Sequence, residues 1–253
     1  MRVVKSAEIR KQELLDCAVQ LFSTQGYEAT TINQIIAALN ISKGAFYHHY
    51  SSKEDLVEAL AERHARQVAD RTRHVLEDAS LDAFERLSVF LSMMRMSKSE
   101  ADAGMQAAFA PIFQPGNSHL HERSQAAIAS VIRPILRDLI AEGIADRTFD
   151  SADPDEAADT ILHLMGSIRP LITELFGASP LEAEALIERL VRRLRFLGTV
   201  VDRILGIPEG SLEFVDNEAV LSMAAVCRPG LRGVEPSAPD LPPVRLSATR
   251  DAR

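Results

Sequence analysis

The sequence predicts an all-α fold, and three observations carry that expectation. Leu, Ala, Ile, Glu and Arg are abundant while aromatic residues make up 5% and Trp is absent, a balance that favours helices over sheets. Apolar residues recur at helical spacing as far as about residue 205, and no stretch alternates as a strand does. Gly and Pro number 12 each in 253 residues, too few for a fold built from turns. With 46% hydrophobic and 25% charged residues, a disordered or fibrous chain is excluded.

The elements follow in order. Ile9, Leu14, Leu15, Ala18, Val19, Leu21 and Phe22 form one stripe, which predicts a helix over 6–24 stopped by Gly26. Thr31-Ile32-Asn33-Gln34 has the form of a capping box and opens a short helix whose buried face is Ile32, Ile35, Ile36 and Leu39. Asn40 tolerates the left-handed backbone of a tight turn, and Ser42 caps the next helix, 42–49. Ser51-Ser52-Lys53-Glu54-Asp55 reads as a further N-terminus, of a long helix over 52–77. Helices are then expected at 80–97, 101–113, 118–142, 153–176 and 180–205. Residues 208, 229, 236, 239, 242 and 243 hold six of the twelve prolines, so 211–227 is expected to be at most one more helix and 228–253 a flexible tail.

Charge and cysteine usage narrow the class. Cys17 and Cys227 stand far apart in a chain that needs no staples, which fits a reducing cytoplasm and excludes a disulfide framework. No apolar run reaches the roughly 18 residues of a membrane helix, and MRVVKSAEIRKQE lacks the apolar core of a signal peptide, so a soluble cytoplasmic protein with no membrane partner is expected. The net charge of -8 looks unsuited to nucleic acid, but residues 1–80 carry 10 basic against 11 acidic side chains. The acidity belongs to the remainder.

The most informative stretch is TTINQIIAALNISKGAFYHHYSSKEDL, residues 30–56. Two short helices joined through Leu39-Asn40-Ile41 have the proportions of a helix-turn-helix over 31–50, whose second helix enters the DNA major groove. That second helix is too polar to be packing material: Phe46 and Tyr50 anchor it while Lys43, Gly44, Ala45, Tyr47 and His48 point outward. The order Gly26, Thr31, Ile35, Ala37, Ser42-Lys43-Gly44, Tyr47-His48-His49-Tyr50, Ser52-Lys53-Glu54 and Leu56 resembles the DNA-binding domain of the tetracycline-repressor (TetR) family of bacterial transcriptional regulators. The resemblance covers residues 8–68, with Asn40 where the family usually has Gly and Ala45 where Thr is frequent.

What the resemblance implies is a three-helix helix-turn-helix domain joined by a long helix to a larger helical domain, 69–206, for ligand binding and dimerisation, followed by an extension, 207–253. The expected partners are a palindromic double-stranded operator, a second copy of the chain and an apolar or amphipathic small-molecule effector that releases a repressor. The DNA-binding residues would be Thr31, Ser42, Lys43, Gly44, Ala45, Tyr47, His48 and Lys53: Lys43 reaches guanine acceptors or phosphate, Gly44 allows close approach, and Tyr47, His48, Thr31 and Lys53 meet phosphate oxygens. Ala45 touches only thymine methyls or sugar. Singly, Tyr47 reads equally as packing, Lys53 as a solvated charge and Thr31 as a cap; jointly, their spacing favours DNA.

No enzyme is expected, because GxSxG, GxxxxGK[ST], GxGxxG and HExxH are all absent. No cofactor or metal is expected either: His119 and His121 diverge on a helix, and Asp150, Asp153, Asp155 and Glu156 lack the Gly and final Glu of a calcium loop and suit a helix N-terminus. Pro134 and Pro170 are expected to bend their helices and open a ligand pocket lined by Phe90, Met94, Phe109, Phe113, Arg133, Met165 and Arg169, with Arg133 or Arg169 holding an acidic group. Leu164, Ile168, Leu190, Leu194, Leu197 and Val201 line faces more apolar than one core needs and are expected at a dimer seam, the bland reading being a monomer's core. A helical adaptor that docks a protein partner instead of DNA is the other class left open.

Overall fold

The computed structural model describes residues 6–95, 108–114 and 116–212. Its helices are α1 Ala7–Gln25, α2 Ile32–Ala38, α3 Lys43–Tyr47, α4 Lys53–Leu76, α5 Ala83–Arg95, α6 Ser118–Ala145, α7 Pro154–Gly166, α8 Arg169–Gly177 and α9 Pro180–Leu205, with a 3-10 turn at Ala110–Phe113. Among the described residues there is no strand.

The ends of the first four helices are set by the side chains that the sequence singles out. Ser6 Oγ accepts from Ile9 N, and Gly26 turns the chain out of α1 with φ 87°. Thr31 and Gln34 form the expected capping box, Asn40 adopts φ 49°, and Ser42 and Ser52 accept from Ala45 N and Asp55 N. A left-handed Asn at this turn removes the need for the glycine usual in the resembled family.

Two expectations change. Residues 153–176 are two helices, because α7 ends at Gly166 and Ser167 N donates back to His163 O and Leu164 O. Pro170 therefore sits in the first turn of α8, where a missing N–H costs nothing, and does not bend a helix interior. Pro134 does lie inside α6. The predicted helix over 101–113 is described only from Ala108, and the expected helix at 211–227 and the tail lie beyond Leu212, outside the described residues.

Two apolar cores organise these helices. The first gathers Leu14, Phe22, Ile35, Phe46, Leu56 and Leu60, and extends beyond the N-terminal helices to Ala108, Ile112 and Leu120. The second gathers Leu87, Phe90, Ile132, Leu136, Ile140, Ile161, Val201 and Leu205. Helix α4 belongs to both, with Leu56, Val57 and Leu60 in the first and Ala65 in the second. Each large side chain so buried stabilises the fold by about 1.5–3 kcal/mol.

Of the residues expected at a dimer seam, Leu190, Leu194, Leu197 and Val201 are buried within the single chain, and Leu164 and Ile168 are half-buried. Leu190 and Leu194 pack with Ile168 and Leu171, while Leu164 packs on the second core. Leu190→Glu should therefore unfold the protein rather than yield monomers, since it places an unpaired charge in an apolar cluster; loss of the cooperative thermal transition checks this. Gly143 offers a sharper probe, because a Cβ there would stand 2.1 Å from a ring carbon of Phe149. Gly143→Ala should lower stability by about 1–3 kcal/mol in urea unfolding.

Candidate nucleic-acid interface

Helix α3 is held from beneath and bare above. Phe46 is fully buried and Tyr50 nearly so, their rings 6.4 Å apart. Lys43, Gly44, Tyr47 and His48 are exposed, Ala45 is half-buried, and the Tyr47 ring, 49% exposed, leans edge-on against Phe46 at 5.4 Å. A Cβ on Gly44 would meet only Ser42 Oγ, at 4.0 Å, so nothing inside the protein requires a glycine. Glycine costs a helix about 1 kcal/mol relative to alanine.

The caps contribute to the same surface. Thr31 and Ser42 are exposed. Thr31 Oγ1 accepts from Gln34 N and donates to Gln34 Oε1, while Ser42 Oγ accepts from Ala45 N and keeps its own proton for donation. His49 is half-buried beside them, and burial followed by the neighbouring His48 lowers its pKa, so it adds no charge at neutral pH.

Lys53 does something else. Its ammonium donates to the carbonyls of Tyr27, 2.7 Å, and Thr30, 3.1 Å, and lies 3.9 Å from the Tyr27 ring centroid. These contacts tie the α1–α2 loop to the first turn of α4. Glu54 strengthens the tie by accepting from the Tyr27 hydroxyl at 3.2 Å. Burial, then the Glu54 charge, raises the Tyr27 pKa, so this hydroxyl stays protonated.

Asp55 completes the turn. It accepts from Ser51 N at 2.8 Å and from Ser52 Oγ at 2.8 Å, just after α3, and from Arg123 Nη2 of α6 at 2.7 Å. Arg123 Nε also donates to Glu58, one turn further along α4, at 2.8 Å. Burial opposes ionisation of Asp55, but the hydrogen bonds from Arg123, Ser52 and Ser51 outweigh it and hold the carboxyl below its usual range. Nothing in the sequence marks Arg123, which lies 65 and 68 residues from its partners. Beside it, between α1, the end of α3 and α4, opens a polar cleft of about 640 Å³ lined by Glu8, Lys11, Arg63 and Arg66 among others.

The expected ligand-pocket residues are not gathered in one place. Phe90 is fully buried in the second core and Met165 packs against it, whereas Phe109 and Phe113 pack on the first. The Met94 side chain is outside the described residues. Arg133 pairs with Asp159 and Asp155 of α7. Asp153, in the suspected calcium cluster, caps α7 by accepting from Asp155 N and Glu156 N. Arg169 has no carboxylate partner among the described residues and donates to Ser118 Oγ at 3.3 Å.

Comparison with known proteins agrees with this geometry. The family model for bacterial regulatory proteins of the tetR family matches residues 14–60. The chain is 28% identical over 175 residues to the HTH-type transcriptional repressor Rv1474c of Mycobacterium tuberculosis, covering 63% of this chain and 93% of the relative. It is 29% identical over 146 residues to the HTH-type transcriptional repressor KstR2 of Rhodococcus jostii, covering 56% and 69%. The crystal structure of RolR in complex with resorcinol superposes with a TM-score of 0.54 at 18% identity, over 87% of this chain and 94% of that one, a likeness of fold alone.

Two outcomes follow for the first turn of α4. Lys53→Met should lower the melting temperature by several degrees, through two carbonyls left without their donor. Because the folded pKa of Asp55 is depressed, its contribution is present above the unfolded value near 4 and is lost as pH falls through the folded one. Asp55→Asn should therefore be less stable than the parent at pH 7 and lose less stability than the parent on acidification below about 4, as denaturant titrations across pH will register.

Proposed function

We propose that the chain, whose residues 14–60 match the family model for bacterial regulatory proteins of the tetR family, is a DNA-binding transcriptional regulator of that kind, a homodimeric repressor released from a palindromic operator by a small molecule. In this reading residues 8–68 bind DNA, 69–206 bind the effector and pair the subunits, and 207–253 form an extension. The observation that carries it is the bare ridge Lys43, Gly44, Tyr47 and His48 on a short helix anchored by Phe46 and Tyr50. Lys43 reads a base edge, Gly44 and Ala45 let the backbone approach, and Ser42, Tyr47 and His48 position the helix on phosphates. Thr31 joins them at its helix start, and Lys53 acts indirectly, by holding the α1–α2 loop.

A single helix-turn-helix reads too few base pairs to be selective, which favours a twofold pair on a palindrome. With the apolar stripe of α9 already used in the core, the seam falls to its other side. Leu181 is 91% exposed and Phe196 57% exposed, and fifteen residues, about four turns, put them on one side of the helix. The effector is apolar or amphipathic, as in the resembled family, and acts by shifting the two DNA-reading heads. No helix among the described residues is long and apolar enough to cross a membrane, and a regulator of this kind works in the cytoplasm without a catalytic step. The protein-docking alternative has no specific observation in its favour.

Mobility shift with fragments selected from bacterial genomic DNA tests the reading. Binding should weaken steeply with salt, because phosphate neutralisation releases counterions. Tyr47→Ala should weaken binding to all sequences alike, while Lys43→Ala changes sequence preference as well, at about 1–3 kcal/mol for a lost base contact. Phe196→Glu should give folded monomers in sedimentation. An intact dimer would move the seam off this face.

A further inference from the structure

The start of α8 meets the start of α6, and near that meeting both helices carry buried polar atoms that have no partner among the described residues. On α6, His121 is 8% exposed and Ser124 1% exposed, and neither His121 Nδ1 nor Ser124 Oγ has a hydrogen-bond partner among the described residues. On α8, Arg169 Nε and Thr173 Oγ1, one turn apart on one face, are buried and equally unpartnered. The two helices meet here, since Arg169 Nη2 reaches Ser118 Oγ at 3.3 Å, one turn before His121. The Phe113 ring closes one side, 5.9 Å from the His121 ring centroid.

Native folds rarely leave buried polar atoms unpaired, and four on two helices that meet at their starts are a departure that a bound molecule would resolve. The chemistry of the four indicates what that molecule is. Arg169 supplies a cationic donor with no carboxylate partner among the described residues, Ser124 and Thr173 supply hydroxyl donors, and a neutral imidazole supplies one more. Burial, then the Arg169 charge, lowers the His121 pKa to about 4, so the imidazole is neutral and the local field favours an anion. We propose that His121, Ser124, Arg169 and Thr173 form the polar end of the effector site and hold the carboxylate of a small aromatic or alkyl acid whose apolar body lies against Phe113. This deepens the effector-released reading and rests on it for its regulatory meaning, but not for binding itself.

Binding is measured on the full DNA-free chain, so failure here and failure of DNA recognition are separate results. The probes are benzoate, phenylacetate, octanoate and decanoate, each beside its neutral amide or alcohol, in thermal shift and calorimetry. At least one acid should bind in the millimolar range or tighter and raise the melting temperature, with its neutral counterpart at least about tenfold weaker, the scale of a lost charge-assisted hydrogen bond. Arg169→Gln and Ser124→Ala should each weaken that acid, Arg169→Gln by about tenfold or more, while both still unfold cooperatively. Phe113→Leu should weaken the aromatic acids more than the alkyl ones. Failure of all four acids to bind, equal binding of acids and neutral counterparts, or undiminished binding in both folded polar variants would overturn the proposal.

Discussion

The structure depends on one turn of helix. Lys53, Glu54 and Asp55, consecutive residues at the start of α4, together hold the segments on either side of the helix-turn-helix. Lys53 and Glu54 hold the loop that leads into α2, and Asp55 holds the segment that leaves α3 together with Arg123 of α6. The pair α2 and α3 is thus fixed before its first helix and after its second by one rigid element. Since α4 continues into the second core through Ala65, it cannot tilt without moving the DNA-reading surface.

This arrangement is of intermediate strength. Arg123, Asp55 and Glu58 are 41%, 25% and 40% exposed, so solvent screens them and their ion pairs stabilise by about 1 kcal/mol or less each. The apolar contacts of α4 are far stronger and keep each core intact. Coupling energies of about 1–3 kcal/mol between sites are typical of allosteric proteins, the range a bridge of this kind supplies. The Arg123 bridge ties α6 to the first turns of α4.

Much of this was legible in the sequence where the cause is local. The caps at Thr31, Ser42 and Ser52 and the left-handed Asn40 are decided within four residues, and each takes the form its residue type dictates. The exposed ridge of α3 was legible too, because a short helix with two aromatic anchors leaves few alternatives. Lys53 and Arg123 were not, since their partners lie 23 to 68 residues away in sequence. An exposed-looking lysine beside a helix start reads as a phosphate ligand until the loop carbonyls it faces are located. The apolar stripe of α9 showed that something covers it but not whether that partner is in the same chain; Leu190 and Leu194 find theirs in Ile168 and Leu171. A proline six residues before a helix end bends that helix or starts a new one, and Pro170 starts one because Gly166 has already ended α7.

The central claim is that the bridge from Arg123 to α4 sets the pose in which α3 meets DNA. A double-mutant cycle on operator affinity, with Arg123→Gln, Glu58→Gln and both together, tests it most directly, because Glu58 caps nothing and touches no DNA-facing residue. Each single change should shift operator affinity several-fold, and the double variant should differ from wild type no more than the larger single, leaving a coupling of about 0.5–1 kcal/mol. Unchanged affinity in both single variants, or two effects that simply add, would contradict the account.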